Sequence, residues 1–287
     1  MSTIVVLAVL LSALLHASWN ALVKGGNDRW LTSGMIGGFG GIGALLVALL
    51  FLPLPQLHHW PWLIGSGALH AAYFLFLVNA YAHGDLGKVY PIARGSAPLI
   101  IIALSAPIVG DVPDILELVA VLVLVAGVIA LTIEPAQVAA TNLRTIILAL
   151  LTGACIAAYS LFDALGIRTI GPEVENGTLF YLCWIMVFAA IPIMTATYIV
   201  RRGHIAAYIR TYAIQGIGGA TIAVTSYGLV LFAFTHASVA SVAALRETGV
   251  VFAALIGVVI LGENFGKRRI PAAILVALGA GALKFAG

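Results

Sequence analysis

Apolar residues along the chain fall into ten runs, and a short polar segment separates each run from the next. A helix needs roughly 20 predominantly apolar residues to cross a bilayer, and each run comes close to that length. The polar segments are too short to fold as soluble domains. We therefore predict an all-α integral membrane protein with ten transmembrane helices. The predicted spans are centred on 3–23, 31–52, 61–82, 87–107, 115–133, 145–166, 177–199, 211–234, 238–261 and 268–285.

The two halves of the chain echo each other. A shift of 152 residues lays Arg94 on Arg246, and the neighbouring small, glycine and acidic positions align as well. Each half holds five spans, and an odd number turns the second half upside down in the membrane. We expect two inverted five-helix repeats, residues 1–135 and 145–287, joined by a loop at 136–144. Such repeats are typical of secondary transporters, whose substrate site lies between them near the middle of the membrane.

Composition agrees with a membrane protein. The chain is 62% hydrophobic and only 9% charged, whereas soluble domains carry roughly 25% charged residues. Ten Lys and Arg residues lie in loops after odd-numbered spans, and only Arg168 and Lys284 lie on the opposite side. Basic loops stay in the cytoplasm. We therefore expect a bacterial-type inner membrane, with both termini outside, and we expect no nucleic-acid partner.

Charged residues interrupt several apolar spans, and three of them are the main candidates. Arg94 lies in the fourth span, and Arg246 and Glu247 lie side by side in the ninth. A charge at membrane depth costs on the order of 3 kcal/mol and usually faces a bundle interior or a wet cavity. These residues either line a transport pathway or hold neighbouring helices together. Pro98 removes the backbone donor that would bond the Arg94 carbonyl, which predicts a hinge there.

Polar and aromatic side chains share helix faces on several other spans. His16, Trp19 and Asn20 follow the spacing that brings side chains onto one face. These groups either line a cavity or make the polar contacts that are common between membrane helices. The candidate substrate-binding residues are His16, Trp19, Asn20, Tyr73, Asn79, Tyr90, Arg94, Tyr159, Asp163, Tyr227, Arg246 and Glu247.

Signatures of catalysis and of cofactor binding are missing from the sequence. It contains no Walker A loop, no zinc-ligand spacing and no catalytic serine motif, so we predict no catalytic residue, no metal, no cofactor and no ATPase subunit. The glycines at 38, 40 and 43 match a dinucleotide fingerprint in spacing alone. Small residues at that spacing let membrane helices approach closely.

The sequence resembles the drug/metabolite transporter superfamily. The resemblance rests on the ten spans in two halves, on Trp19 ahead of Lys24, and on the glycine–acid pairs that end spans four and nine, at 110–111 and 262–263. It is similar to the EamA-type branch, and within that branch it looks most like the YddG-type amino-acid exporters. The resemblance implies a central cavity lined by spans 1, 3, 4, 6, 8 and 9.

The expected function is export of small amphipathic metabolites, above all amino acids, including aromatic and large neutral ones. An arginine at 94 or 246 would bind the carboxylate of the small-molecule substrate, and Glu247, Asn20, Trp19 or Tyr90 would receive its ammonium. The expected partners are the small-molecule substrate and the lipid bilayer. Sugar-phosphate, nucleotide-sugar or drug transport by the same fold stays open, as does a membrane protein without a transport cycle.

Overall fold

The computed structural model describes residues 1–83, 86–132, 142–261 and 269–286. Within these ranges the regular structure is entirely helical. Most of the predicted connection at 136–144 and the acidic end of the ninth span lie outside the described residues. The helices are α1 Thr3–Gly25, α2 Arg29–Phe51, α3 Trp60–His83, α4 Leu86–Val109, α5 Ile115–Thr132, α6 Leu143–Ile170, α7 Gly177–Arg201, α8 Ile205–Phe234, α9 Val239–Arg246, α10 Gly249–Leu261 and α11 Arg269–Leu283.

Length and composition suit these helices to a bilayer. Eight described stretches are long and apolar enough to cross a membrane, and one of them, Gly177–Phe234, contains both α7 and α8. A shorter apolar helix covers Ile270–Leu283. Large apolar side chains point outward along the bundle, as at Ile214, which is 86% exposed. Such an outer surface fits lipid and would be costly in water.

Helices from the two halves of the chain interleave. α1 packs against α8, and α3 packs against α6. α4 packs against α6, while α1 packs against α9 and α10. α2 packs against α7, and α5 packs against α11. Contacts between the halves therefore build the interior of the bundle.

Two serines fasten α1 to α8. The Ser12 hydroxyl donates to the Ser226 carbonyl at 2.8 Å, and the Ser226 hydroxyl donates to the Ser12 carbonyl at 2.9 Å. Both residues are buried. The reciprocal bonds satisfy two hydroxyls that would otherwise lie unpaired among apolar side chains.

The ninth span is not one helix, in contrast to the continuous helix predicted for 238–261. α9 ends at Arg246, and the backbone N–H groups of Glu247 and Thr248 bond to carbonyls three residues back rather than four. The Thr248 hydroxyl also donates a hydrogen bond to the Leu245 carbonyl, at 2.7 Å. A Cβ on Gly249 would lie 3.2 Å from the Ala13 carbonyl oxygen, so the chain restarts as α10 close against α1.

α5 and α11 approach closely at Gly279. A Cβ there would lie 2.7 Å from the backbone nitrogen of Leu124, which cannot move aside like a side chain. Gly281, two residues further along α11, has nothing within 4 Å of the same position.

Gly279→Ala is therefore expected to destabilise the detergent-solubilised protein by about 1–3 kcal/mol, the usual cost of overpacking. Gly281→Ala is the matched control and should unfold at the wild-type temperature. Thermal unfolding followed by tryptophan fluorescence measures both. Equal unfolding temperatures for the two variants would contradict the close contact.

An ion pair joins the halves at the end of the bundle where α8 begins. Asp28 accepts from Arg201 Nε at 2.7 Å and also caps α2 by accepting from the Trp30 N–H at 2.9 Å. The hydrogen bond from Arg201, together with the bonds from the helix N-terminus, holds the pKa of Asp28 below its usual value. The pair therefore stabilises the fold above the unfolded pKa of about 4 and loses this effect as pH falls through the folded pKa.

Asp28→Asn keeps a good helix cap but removes the charge. The variant should unfold at a lower temperature than wild type at pH 7, and the difference should shrink as the pH is lowered from 5 to 3. Unfolding temperatures of both proteins across this pH series test the expectation. A difference that stays constant would mean that the charge of Asp28 contributes nothing.

Candidate functional site

A cavity between the halves lies beside the charged residues. Its volume is about 10 Å³, which leaves room for about one water molecule. One wall is apolar and the other carries three charged side chains. The lining residues are Arg94, Ala97, Pro98, Ile101, Ile156, Ser160, Val230, Phe234, Ala243, Arg246 and Glu247.

Arg94 and Glu247 form an ion pair across the cavity. Arg94 Nε lies 3.2 Å from Glu247 Oε2, and both side chains are buried. Arg94 comes from α4 in the first half, and Glu247 follows α9 in the second. A pair of opposite charges removed from water attracts strongly, and breaking it would leave a buried charge uncompensated.

Arg246 has a different environment. Its guanidinium carbon lies 5.6 Å from the centre of the Tyr227 ring, which gives a cation–π contact. Among the described residues, no carboxylate lies within ion-pair distance of Arg246, and its Nε has no hydrogen-bond partner. A buried guanidinium with spare donors beside a cavity is a binding group for a carboxylate or a phosphate.

Asp163 lies at the centre of a buried network next to this cavity. It is fully buried and accepts hydrogen bonds from Tyr181, at 3.1 Å, and from Tyr227. Tyr227 thus contacts the carboxylate with its hydroxyl and Arg246 with its ring. The network holds α6, α7 and α8 together directly beside the Arg246 side chain.

Aromatic rings extend the network toward α3. His70 stacks on Tyr159, with ring centres 4.3 Å apart, and meets the edge of Tyr227 at 5.9 Å. Tyr73 meets Tyr159 edge-on at 5.9 Å. His70 donates from Nδ1 to the Ser66 carbonyl at 2.9 Å, which fixes the ring. These rings give the site a rigid aromatic side.

Of the predicted residues on α1, two lie near the site and one faces away. His16 and Trp19 meet edge-on at 5.2 Å, and His16 lies within the electrostatic field of Arg246 and Arg94. Asn20 is exposed and donates to the His16 carbonyl at 2.7 Å.

Two further predicted residues lie on α3 and α4. Asn79 is exposed and donates to the carbonyl four residues earlier in α3, at 2.8 Å. Tyr90 belongs to α4, and its side chain lies outside the part of the chain that the structure describes.

Three residues that line the cavity or belong to the Asp163 network are absent from the predicted set. His70 shares a helix face with Tyr73, so its spacing carried a signal. Ser160 follows Tyr159 directly and lines the cavity. Tyr181 lies in an apolar, aromatic run of α7, where nothing in the sequence distinguishes it from packing residues.

Another histidine cluster lies at the loops and has the composition of a metal site. His58, His59 and Glu173 bring their ligand atoms within 4.8 Å of one another. However, His59 Nδ1 accepts the Gln56 N–H, so Nε2 carries the proton and donates to Glu173 at 3.4 Å. A metal ligand needs the reverse arrangement. The cluster is therefore a hydrogen-bonded contact between two loops.

Comparison with known proteins agrees with this architecture. Residues 143–283, from the start of α6 to the end of α11, match the model of the EamA-like transporter family. A solved crystal structure, described only as that of a protein, shares 19% sequence identity and covers 97% of both chains with a TM-score of 0.71, which shows a common fold. No curated protein matches the sequence. This match makes the second half of the chain similar to a family of transporters, which agrees with the apolar, multi-span helical bundle.

Proposed function

We propose that this transporter exports small amphipathic metabolites, above all amino acids including aromatic and large neutral ones, as YddG-type exporters do. The observation that carries the proposal is the position of Arg246. It is a buried cation without a carboxylate partner among the described residues, and it faces a cavity that also holds a carboxylate and apolar walls. An amino acid has a carboxylate, an ammonium and a side chain to match these three features.

The carboxylate of the substrate binds Arg246. The planar guanidinium can donate two parallel hydrogen bonds to a carboxylate, which fixes orientation as well as charge. The ring of Tyr227 beneath the guanidinium holds it in position. Removing the charge of Arg246 from water is costly, and a substrate carboxylate offsets that cost.

The ammonium of the substrate binds Glu247. The ammonium is also attracted to the ring faces of Tyr227 and Tyr159, where a desolvated cation gains about 2 kcal/mol. Two cations, Arg94 and Arg246, balance two carboxylates, Glu247 and Asp163, so the site accepts a zwitterion without a change in net charge. The apolar wall, which includes Ile101 and Phe234, receives the side chain.

The architecture is ten membrane-crossing helices in two inverted repeats, residues 1–135 and 145–287. In this arrangement α1, α2, α3, α4 and α5 correspond to α6, α7, α8, the broken ninth span and α11. The contact of α1 with α8 then corresponds to the contact of α6 with α3. The contact of α4 with α6 corresponds to the contact of the broken ninth span with α1. The pairs α2 with α7 and α5 with α11 map onto themselves. This pattern supports a twofold relation between the halves.

Transport proceeds by alternating access, in which the halves rock about the central cavity. The ion pair of Arg94 and Glu247 spans the moving interface. Pro98 and the break after Arg246 are the flexing points. The bias of basic loops supports a bacterial-type inner membrane with both termini outside.

Arg246→Ala should lower the efficiency of amino-acid uptake by about 100-fold, because the substrate carboxylate loses its buried partner. The measurement is uptake of labelled phenylalanine, methionine and threonine by proteoliposomes that contain purified protein, with and without a pH gradient. Arg246→Lys should recover part of the activity, because it keeps the charge without the two-pronged geometry. Arg210→Ala removes an exposed arginine and is the control.

Three outcomes would overturn parts of this proposal. Wild-type activity in Arg246→Ala would remove Arg246 from the site. Entry of hexose phosphates or nucleotide sugars instead of amino acids would keep a transporter and change its substrate. Loss of folded protein, seen by size-exclusion chromatography, would make Arg246 a structural residue. The pH gradient decides between proton coupling and facilitated diffusion.

A further inference from the structure

A second charged cluster lies at one end of the bundle, away from the central site. Arg168, at the end of α6, binds Asp111, which follows α4. The guanidinium meets both carboxylate oxygens, at 2.8 Å and 3.1 Å. Arg168 belongs to the second half and Asp111 to the first. A two-pronged pair of this kind is the strongest geometry available to these side chains.

The same two side chains also hold the turn between α8 and α9. Arg168 Nε donates to the Phe234 carbonyl at 2.8 Å, and Nη2 donates to the Ala237 carbonyl at 3.0 Å. Asp111 Oδ2 accepts the Val239 N–H at 2.9 Å, at the start of α9. Three polar atoms of the pair thus bond the backbone of one turn.

Glu117 adds a second tie between the same elements. It is buried near the start of α5 and accepts from the hydroxyls of Ser238 and Ser241, the latter at 2.6 Å. Ser238 caps α9 through the Ser241 N–H. Two carboxylates from the first half therefore hold the first turn of α9, the helix that ends at Arg246.

The cluster adjoins the cavity directly. Phe234, whose carbonyl Arg168 holds, is itself a lining residue of the cavity. It ends α8, a helix of 30 residues, whereas Asp28 and Arg201 lie near the beginning of that helix. The pair of Asp28 and Arg201 and the pair of Asp111 and Arg168 therefore lie near opposite ends of α8, which is kinked at Tyr212 and runs roughly 33 Å from the kink to Phe234.

We propose that Arg168 and Asp111 are the gating residues at this end of the transport pathway. While the pair is formed, the turn after Phe234 closes the cavity on this side. When the pair opens, the turn and the first turn of α9 move away, and the cavity becomes accessible. This inference rests on the proposed alternating-access function and adds the residues that control one side of it.

A labelling experiment distinguishes a gate from a purely structural contact. In a background with Cys155→Ala and Cys183→Ala, Ser160→Cys introduces one thiol into the cavity wall. In a separate variant of the same background, Val112→Cys places a thiol at an 81% exposed position beside Asp111. The face from which this thiol is labelled is the membrane face that carries the cluster. A membrane-impermeant maleimide is then applied to that face of vesicles that contain the protein.

Asp111→Asn should raise the labelling rate of the cavity thiol from that face about tenfold. Arg168→Lys should fold, because it keeps the charge, and should give a smaller increase. Asp28→Asn is the matched control, since it removes an inter-half ion pair at the opposite end and should not raise this rate. Each variant is first checked for a wild-type elution volume.

Unchanged labelling in folded Asp111→Asn and Arg168→Lys would overturn the gate. An equal rise in Asp28→Asn would also overturn it, because the effect would then reflect general loosening. The readout does not depend on the substrate. If labelling changes as expected while no amino acid is transported, the gate stands and the proposed substrate fails.

Discussion

Charged groups buried inside an apolar bundle must find partners, and this requirement explains how the interior of the protein is arranged. Arg94 meets Glu247 from the other half of the chain. Asp163 is bound by two tyrosine hydroxyls. The pair of Arg94 and Glu247 joins the halves, whereas the contacts of Asp163 lie within the second half. The ion pair therefore favours the interleaved arrangement of helices, in addition to the packing of small and apolar residues between them.

The broken ninth span carries both charged side chains at its break. Adjacent residues on a helix point about 100° apart, so they can meet different partners. At the change to three-residue hydrogen bonding, Glu247 pairs with Arg94 in α4 while Arg246 lies over Tyr227 in α8. One cation is thereby neutralised within the protein, and the other remains available beside the cavity. Non-helical backbone at membrane depth is tolerated where it borders such a cavity.

Much of the site follows from the sequence, because a charge in an apolar run has few places to go. That argument found Arg94, Arg246 and Glu247, which line one cavity. Asn20 and Asn79 stay predictions, and each side chain bonds a carbonyl of its own helix.

Tertiary structure decided the features that the sequence did not reveal. In the sequence Tyr181 resembles its apolar neighbours. Only the packing of α7 brings its hydroxyl within hydrogen-bond distance of Asp163. The break after Arg246 depends on the close approach of Gly249 to α1, which no periodicity records.

The most direct test of the account is equilibrium binding of labelled phenylalanine to the purified protein, with unlabelled competitors. Phenylalanine should compete at least about tenfold better than 3-phenylpropionate, which lacks the ammonium, or phenethylamine, which lacks the carboxylate. Equal competition by 3-phenylpropionate, or displacement by a hexose phosphate, would contradict recognition of a zwitterion by Arg246 and Glu247.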